Sequence, residues 1–272
     1  MAHRIVITSQ KGGVGKTTVA LHLAVALAER GRSTLLVDLD PQGGIGLSLA
    51  RRDTELAGLA DLLMGHVPKE GALLRTKMPN LTLLPRGRLD PIDVCEFEQA
   101  LFAEGVLDSL LRELEDEFDI VILDTPSGLG MIPRGAMRVA DSVLLPMQAA
   151  ALSLRSISQA LRVVEHVRNT ENPKLALLGI LPTMAEREKD TSQECLVEVW
   201  TGFEGVFDTV IPRSEVFAVA SRDGLPIGFL GRRKLPEARR FDALAMEVEA
   251  AIDLLSGSKE NSHDTSPNRA FL

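Results

Sequence analysis

Short β-branched, apolar runs alternate along the chain with longer stretches of helical period. "RIVIT" (Arg4 to Thr8) precedes a helical pattern from about Lys16 to Glu29, and "TLLVD" (Thr34 to Asp38) follows it. That order is a β-α-β unit, in which a crossover helix joins two parallel strands buried on both faces. Gly31 stands where a helix C-cap is expected. The alternation goes on through "LTLLP" (Leu81 to Pro85), "FDIVILD" (Phe118 to Asp124), "DSVLLP" (Asp141 to Pro146), "LALLGILP" (Leu175 to Pro182) and "VFDTVIP" (Val206 to Pro212). Helical patterns fill Val106 to Glu117, Leu152 to Arg168 and about Pro236 to Leu255. The pattern predicts an α/β fold: one open, mostly parallel, doubly wound sheet with helices on both faces.

Residues 1–255 read as one domain, a size that 272 residues at 45% hydrophobic composition can support. Residues 256–272 are rich in Ser, Asn, Asp and Pro and predict a disordered tail. No apolar run spans a bilayer and the first residues do not resemble a secretory signal, so a cytoplasmic protein is expected. Cys95 and Cys195, the two cysteines, have no metal-ligand spacing and read as thiols of a reducing compartment. A net charge of −8 excludes indiscriminate nucleic-acid binding by the whole surface and leaves room for a local basic patch.

The chemistry begins at "SQKGGVGKTT" (Ser9 to Thr18). It has the ending of a phosphate-binding loop, between a strand and a helix, but Gln10 replaces the first glycine of the usual pattern and a second lysine, Lys11, opens the loop. Gly12, Gly13 and Gly15 let the backbone, with Val14, turn its N–H groups toward phosphate oxygens at the positive end of a helix. Lys16 would meet the β- and γ-phosphates, Thr17 would ligate Mg²⁺, and Thr18 would bond the α-phosphate.

Two acidic motifs end apolar strands, where ligands of open α/β sheets gather. "VDLDPQ" supplies Asp38 and Asp40, and "VILDTPSG" supplies Asp124. A carboxylate there can hold a Mg²⁺-bound water, and a second can orient the water that attacks the γ-phosphoryl group.

"KGGVGKTT", "LLVDLDPQG", "DIVILDTPSG" and "TVIPRSEVFAVASRDGLPIG" resemble, in order, the motifs of the ParA/MinD family of deviant P-loop ATPases, most of all the ParA-type partitioning and positioning members. The resemblance runs from Arg4 to about Leu255. It implies ATP and Mg²⁺ as cofactors and an ATP-dependent homodimer with the nucleotides sandwiched between subunits. Lys11 would reach the partner's phosphates, making Lys11, Lys16 and Asp40 the catalytic set. Thr17, Asp40 and Asp124 would serve the metal, with Asp38 in support, and Pro212 and Arg213 would border the adenine. Hydrolysis would be slow and stimulated by a ParB-like protein or cargo adaptor.

Seven cations, Arg213, Arg222, Arg232, Arg233, Lys234, Arg239 and Arg240, face three acids between Arg213 and Arg240. In ParA-type proteins this region carries DNA-binding cations, so the resemblance implies non-specific, salt-sensitive binding of double-stranded DNA and nucleoid association. The MinD branch ends in a basic amphipathic helix, which "NSHDTSPNRAFL" does not form, and no membrane attachment is expected. No helix-turn-helix precedes the first strand, so operator reading is not expected either. Alternatives are a MinD-like membrane regulator and a metabolic or electron-transfer relative, such as an amide-forming ligase or the nitrogenase iron protein. The cysteines do not suit the last of these.

Overall fold

The computed structural model describes residues 2–48, 56–150, 153–231 and 234–260. Its centre is a seven-stranded sheet in the order β3-β4-β2-β5-β1-β6-β7. The strands are β1 (His3–Ile7), β2 (Thr34–Asp38), β3 (Leu74–Arg75), β4 (Leu81–Leu84), β5 (Ile120–Asp124), β6 (Ser142–Gln148) and β7 (Ala176–Thr183). All pairings are parallel except β3 with β4. The expected doubly wound sheet is therefore present.

Strand alternation divides the interior into two cores. Val6, Val37, Leu84, Val121, Leu123 and Val143 face one layer, packed by α5 (Val94–Phe102), α6 (Val106–Leu114), α7 (Met131–Val139) and α8 (Ser153–Thr170). Ile5, Ile7, Leu36, Ile122 and Leu144 face the other, packed by α1 (Lys16–Glu29) and α11 (Pro236–Glu260). From Val19 to Ala28 every residue of α1 is buried. Wedged between the sheet and α11, this helix has no solvent face and so needs no amphipathic stripe.

At its far end α1 closes as the sequence predicts. Gly31, at φ 88°, donates to the Ala28 carbonyl and Arg32 donates to that of Leu27. This paired arrangement is the Schellman motif. The remaining helices are α2 (Gly44–Leu47), α3 (Leu59–Leu63), α4 (Lys69–Ala72), α9 (Asp190–Gly202) and α10 (Val216–Asp223). Among the described residues no helix is long and apolar enough to cross a membrane.

Three expectations need correction. "VFDTVIP" is not a strand: it meets β7 and the residues just past its end through isolated bridges at Ile180–Val206 and Ala185–Pro212, with the Ile211 N–H donating to the Pro182 carbonyl. Between them the side chain of Glu247 on α11 accepts the N–H groups of Asp208 and Thr209, so the middle of the segment turns from the sheet to a helix. Pro182 and Pro212 also offer no N–H to a ladder. The last helix continues five residues past Leu255 to Glu260, with Ser256 bonding back to the Ile252 carbonyl. Only residues 261–272 of the expected tail then remain, and they lie outside the described residues. The helix expected to Glu117 ends at Leu114 and finishes in a 3-10 turn over Glu115–Glu117.

Candidate nucleotide site

The ends of β1, β2 and β5 meet at one edge of the sheet, with Ile7 and Asp38 both paired to Asp124. Chain direction therefore delivers the phosphate loop and both acidic motifs to one place, as expected of an open α/β sheet. Gly13 and Gly15 have φ of 72° and 88°, a region that side chains disfavour, so the loop needs glycine there. Gly15 caps α1 without a side-chain bond, leaving the first N–H groups of the helix directed into the loop. The loop is braced from outside: the Thr183 hydroxyl donates to the Val14 carbonyl, and the Gly128 N–H to that of Ser9.

The two lysines differ in setting. Lys16 is buried, 7% exposed, and donates to the Ser127 hydroxyl at 2.7 Å. Burial lowers its pKa, against the charges of Asp124 and Asp40, which raise it. Lys11 is exposed at the rim, and its ammonium reaches the Gln148 side chain at 3.0 Å. Neither Ser127 nor Gln148 carries a sequence signal for these contacts, because each depends on the sheet order.

Asp124 is fully buried, and among the described residues neither carboxylate oxygen has a hydrogen-bond partner of good geometry. Burial pushes its pKa up to about 7; Thr17 and Lys16 pull it back, and the nearby charge of Asp40 adds to the rise. An unsatisfied buried carboxylate is costly unless a cation or water meets it. Thr17 stands close by, its side chain against Gly44. Among the described residues no group of three or more His, Cys, Asp or Glu could cage a metal. One carboxylate with a hydroxyl suits Mg²⁺, which keeps waters and takes its remaining ligands from phosphates. The residues present thus fit that ion.

The Asp40 loop is tied down by Asp38, whose oxygens accept the N–H groups of Asp40 and Ile45, each at 3.0 Å. Asp40 itself is half-buried and accepts the Gln42 N–H at 2.9 Å. Pro212 and Arg213 lie beside the end of β7, where Arg213 donates through its backbone to Ala185 and pairs with Glu186 at 2.9 Å. Met184 connects this segment to the loop, its methyl being 3.8 Å from a β-carbon built on Gly15.

The basic cluster is less uniform than its sequence. Lys234 is held at 2.6 Å by both Glu29 and Asp242, and Arg222 pairs with Asp223 at 3.1 Å. Arg239 is exposed and Arg240 half-buried on α11, while Arg232 and Arg233 lie outside the described residues. A cavity of about 1350 Å³ opens at the opposite edge of the sheet near His3, Arg4 and Asp141. Its charges largely satisfy one another, with Arg4 and Arg112 on Asp108 and Arg138 on Glu171. The chemistry gathers at the glycine-lined edge, where the loop meets Asp38, Asp40 and Asp124.

A parallel sheet with a glycine loop entering a buried helix, and carboxylates on the adjoining strand ends, defines a P-loop nucleotide-binding protein. Residues 2–177 match the family model described as an AAA domain. The chain is 34% identical over 251 residues to the chromosome partitioning protein ParA of Caulobacter vibrioides, covering 90% of this chain and 92% of that protein. It is 37% identical over 250 residues to the chromosome-partitioning ATPase Soj of Thermus thermophilus, covering 92% and 96%. Among solved structures, cobyrinic acid a,c-diamide synthase from Mycobacterium smegmatis with bound ATP analog and magnesium is 32% identical, with TM-score 0.72 over 100% of both chains. The chain belongs to the ParA/Soj family of P-loop partitioning ATPases.

Proposed function

We propose that this protein is a cytoplasmic, nucleoid-associated ATPase that forms an ATP-dependent sandwich homodimer, binds double-stranded DNA without sequence preference, and positions or segregates DNA or another cargo. The observation that carries the reading is the contrast between the two loop lysines. Lys16 is turned inward and buried beside Asp124, whereas Lys11 stands exposed at the rim. A cation so placed suits a second subunit's phosphates better than its own, as an arginine finger supplied in trans does.

In this reading Gly12 to Thr18 hold the phosphates and Lys16 balances their charge. Thr17, Asp40 and Asp124 would hold Mg²⁺, which would neutralise phosphate charge. Pro212 and Arg213 border the base. Asp40 orients a water whose oxygen bonds to the terminal phosphorus as the bond to the bridging oxygen breaks. ADP keeps that electron pair, and the water's proton ends on the released phosphate. Loss of the terminal phosphate removes the contacts that join the subunits, so hydrolysis times release from DNA. A ParB-like or cargo-bound partner would quicken the step.

DNA phosphates would meet Arg222, Arg239, Arg240 and, after release from its acids, Lys234, together with Arg213, Arg232 and Arg233. The test is retardation of arbitrary duplex DNA with ATP and with ADP at two salt concentrations. An ATP-dependent, salt-sensitive shift lost on charge reversal at Arg239 and Arg240 is expected; no shift with ATP would end the DNA reading. The similarity to a diamide synthase favours a second reading, in which ATP activates a carboxylate for amide formation. Turnover stimulated by ammonia and a carboxylic acid, and not by DNA, would favour it.

A further inference from the structure

Arg86 follows β4 in "LLPRGR", a stretch to which the sequence assigns no chemistry. Because β4 pairs with β2 in parallel, with Val37 opposite Leu84, the loops leaving the two strands run side by side. Across that gap the Arg86 guanidinium donates to the carbonyl of Pro41 at 2.7 Å, while its Nε donates to the carbonyl of the adjoining Gly87 at 3.1 Å. Pro41 is buried and directly follows Asp40.

Arg86 extends from a stiff platform. Its own carbonyl accepts the Ala60 N–H, and that of Pro85 accepts the Leu59 N–H, both at 2.8 Å. Asp61, 1% exposed, gathers the N–H groups of Gly58 and Arg88 and the Arg88 guanidinium. Gly87 has φ 87°, and a β-carbon on Gly58 would lie 2.1 Å from the Pro85 carbonyl, so this turn tolerates little change. On its other side the Asp40 loop is fixed by Asp38 through the N–H groups of Asp40 and Ile45. The loop is thus held at two points: Asp38 holds it from within and Arg86 from the neighbouring strand end.

We propose that Arg86 is a positioning residue for Asp40, its hold on the Pro41 carbonyl setting where the Asp40 carboxylate stands during attack on the terminal phosphate. The inference rests on the reading above, in which Asp40 orients the attacking water. A peptide carbonyl fixed by a planar guanidinium leaves the adjoining residue little freedom, and small displacements of a catalytic group are expensive in rate.

The test compares single-turnover ATP hydrolysis, fluorescent-nucleotide affinity and thermal midpoint in Arg86→Ala, Arg86→Lys, Asp40→Asn and the Arg86→Ala/Asp40→Asn double variant. Expected are a turnover loss of about tenfold to a hundredfold in Arg86→Ala, nucleotide affinity within about twofold of wild type, and partial recovery in Arg86→Lys. In the Asp40→Asn background Arg86→Ala should cost nothing more, because residues acting as a unit are not additive. Normal turnover in Arg86→Ala, or an equal further loss in the double variant, overturns the inference. Should Arg86→Ala unfold, Arg86→Lys decides: unchanged turnover, or a loss matched by lost nucleotide affinity, refutes the role. Undiminished hydrolysis in Asp40→Asn would instead refute the catalytic reading of Asp40.

Discussion

His22 and Ile227 are joined across 205 residues by a hydrogen bond from the Ile227 N–H to the His22 Nε2 at 3.1 Å. The other ring nitrogen, Nδ1, donates to the Thr18 carbonyl at 2.7 Å, which fixes the neutral tautomer. The ring lies against Phe217 and Phe241, so the first turns of the phosphate-loop helix are locked to the stretch that carries the basic cluster. Burial lowers the His22 pKa to about 4, opposed by the Thr18 carbonyl.

This ring makes stability depend on pH in a definite direction. Unfolded His22 takes up a proton near its ordinary pKa of 6.5, whereas the folded ring resists until about 4. The neutral ring's contribution is therefore complete above 6.5 and is lost as pH falls from there toward 4, by at most on the order of 3 kcal/mol. Urea midpoints measured at half-unit steps between pH 7 and 4.5 should fall more steeply in the native protein than in His22→Gln. Parallel slopes would show that the ring does not carry the effect.

Gly44 predicts a separate effect at the metal. A β-carbon there would sit 3.0 Å from both Oγ1 and Cγ2 of Thr17, closer than side chains ordinarily approach. Gly44→Ala is expected to push the hydroxyl aside and weaken Mg²⁺-dependent nucleotide binding by about fivefold, roughly 1 kcal/mol. Binding measured in EDTA should hardly change. An equal loss with and without Mg²⁺ would place the damage in the loop rather than at Thr17.

Glu247 shows which parts of the fold were legible in the sequence. The strands that pair through their own backbones, from "RIVIT" to "LALLGILP", announce themselves by apolar content, and α1 by its glycine loop and Gly31 cap. "VFDTVIP" has the same composition, yet its path is set by a carboxylate 38 and 39 residues further on. The two-residue β3 is too short to show a pattern. The glycine loop and the strand-end acids that meet beside it were readable because phosphate chemistry imposes residue types at fixed spacing. Ser127, Gln148 and Arg86 were not, because only the strand order sets them beside the motifs. The basic cluster was visible as charge, whereas the acids that hold Lys234 come from α1 and α11.

Removing Glu247 should accordingly cost stability. Thr209 is buried, and its N–H and hydroxyl both depend on that carboxylate. Glu247→Ala leaves them unpaired and is expected to destabilise by about 2–3 kcal/mol. Glu247→Gln, which keeps an acceptor oxygen, should lose less. Chemical denaturation of the two variants distinguishes this account from a surface role, for which both would fall within about 0.5 kcal/mol of the native protein.

The two lysines of the loop should separate under mutation. Lys16 is buried within reach of the charges of Asp124 and Asp40, so Lys16→Ala removes a cation from a site that already holds acids and must then accept phosphates. Productive ATP binding should be lost. Lys11 is exposed and its ammonium donates to Gln148 at 3.0 Å, away from the loop glycines, so Lys11→Ala leaves its own subunit's cradle intact. Fluorescent-nucleotide titration should therefore give a near-native affinity in Lys11→Ala, while single-turnover hydrolysis and the ATP-dependent increase in mass by light scattering are lost. A mixture tests the trans role further. Lys11→Ala subunits combined with Asp40→Asn subunits each lack what the other supplies, so a heterodimer pairs one defective site with one complete site. Partial recovery of turnover in the mixture is expected if Lys11 acts across the interface. Full turnover in Lys11→Ala alone, or no recovery in mixtures shown to form heterodimers, would rule out that role.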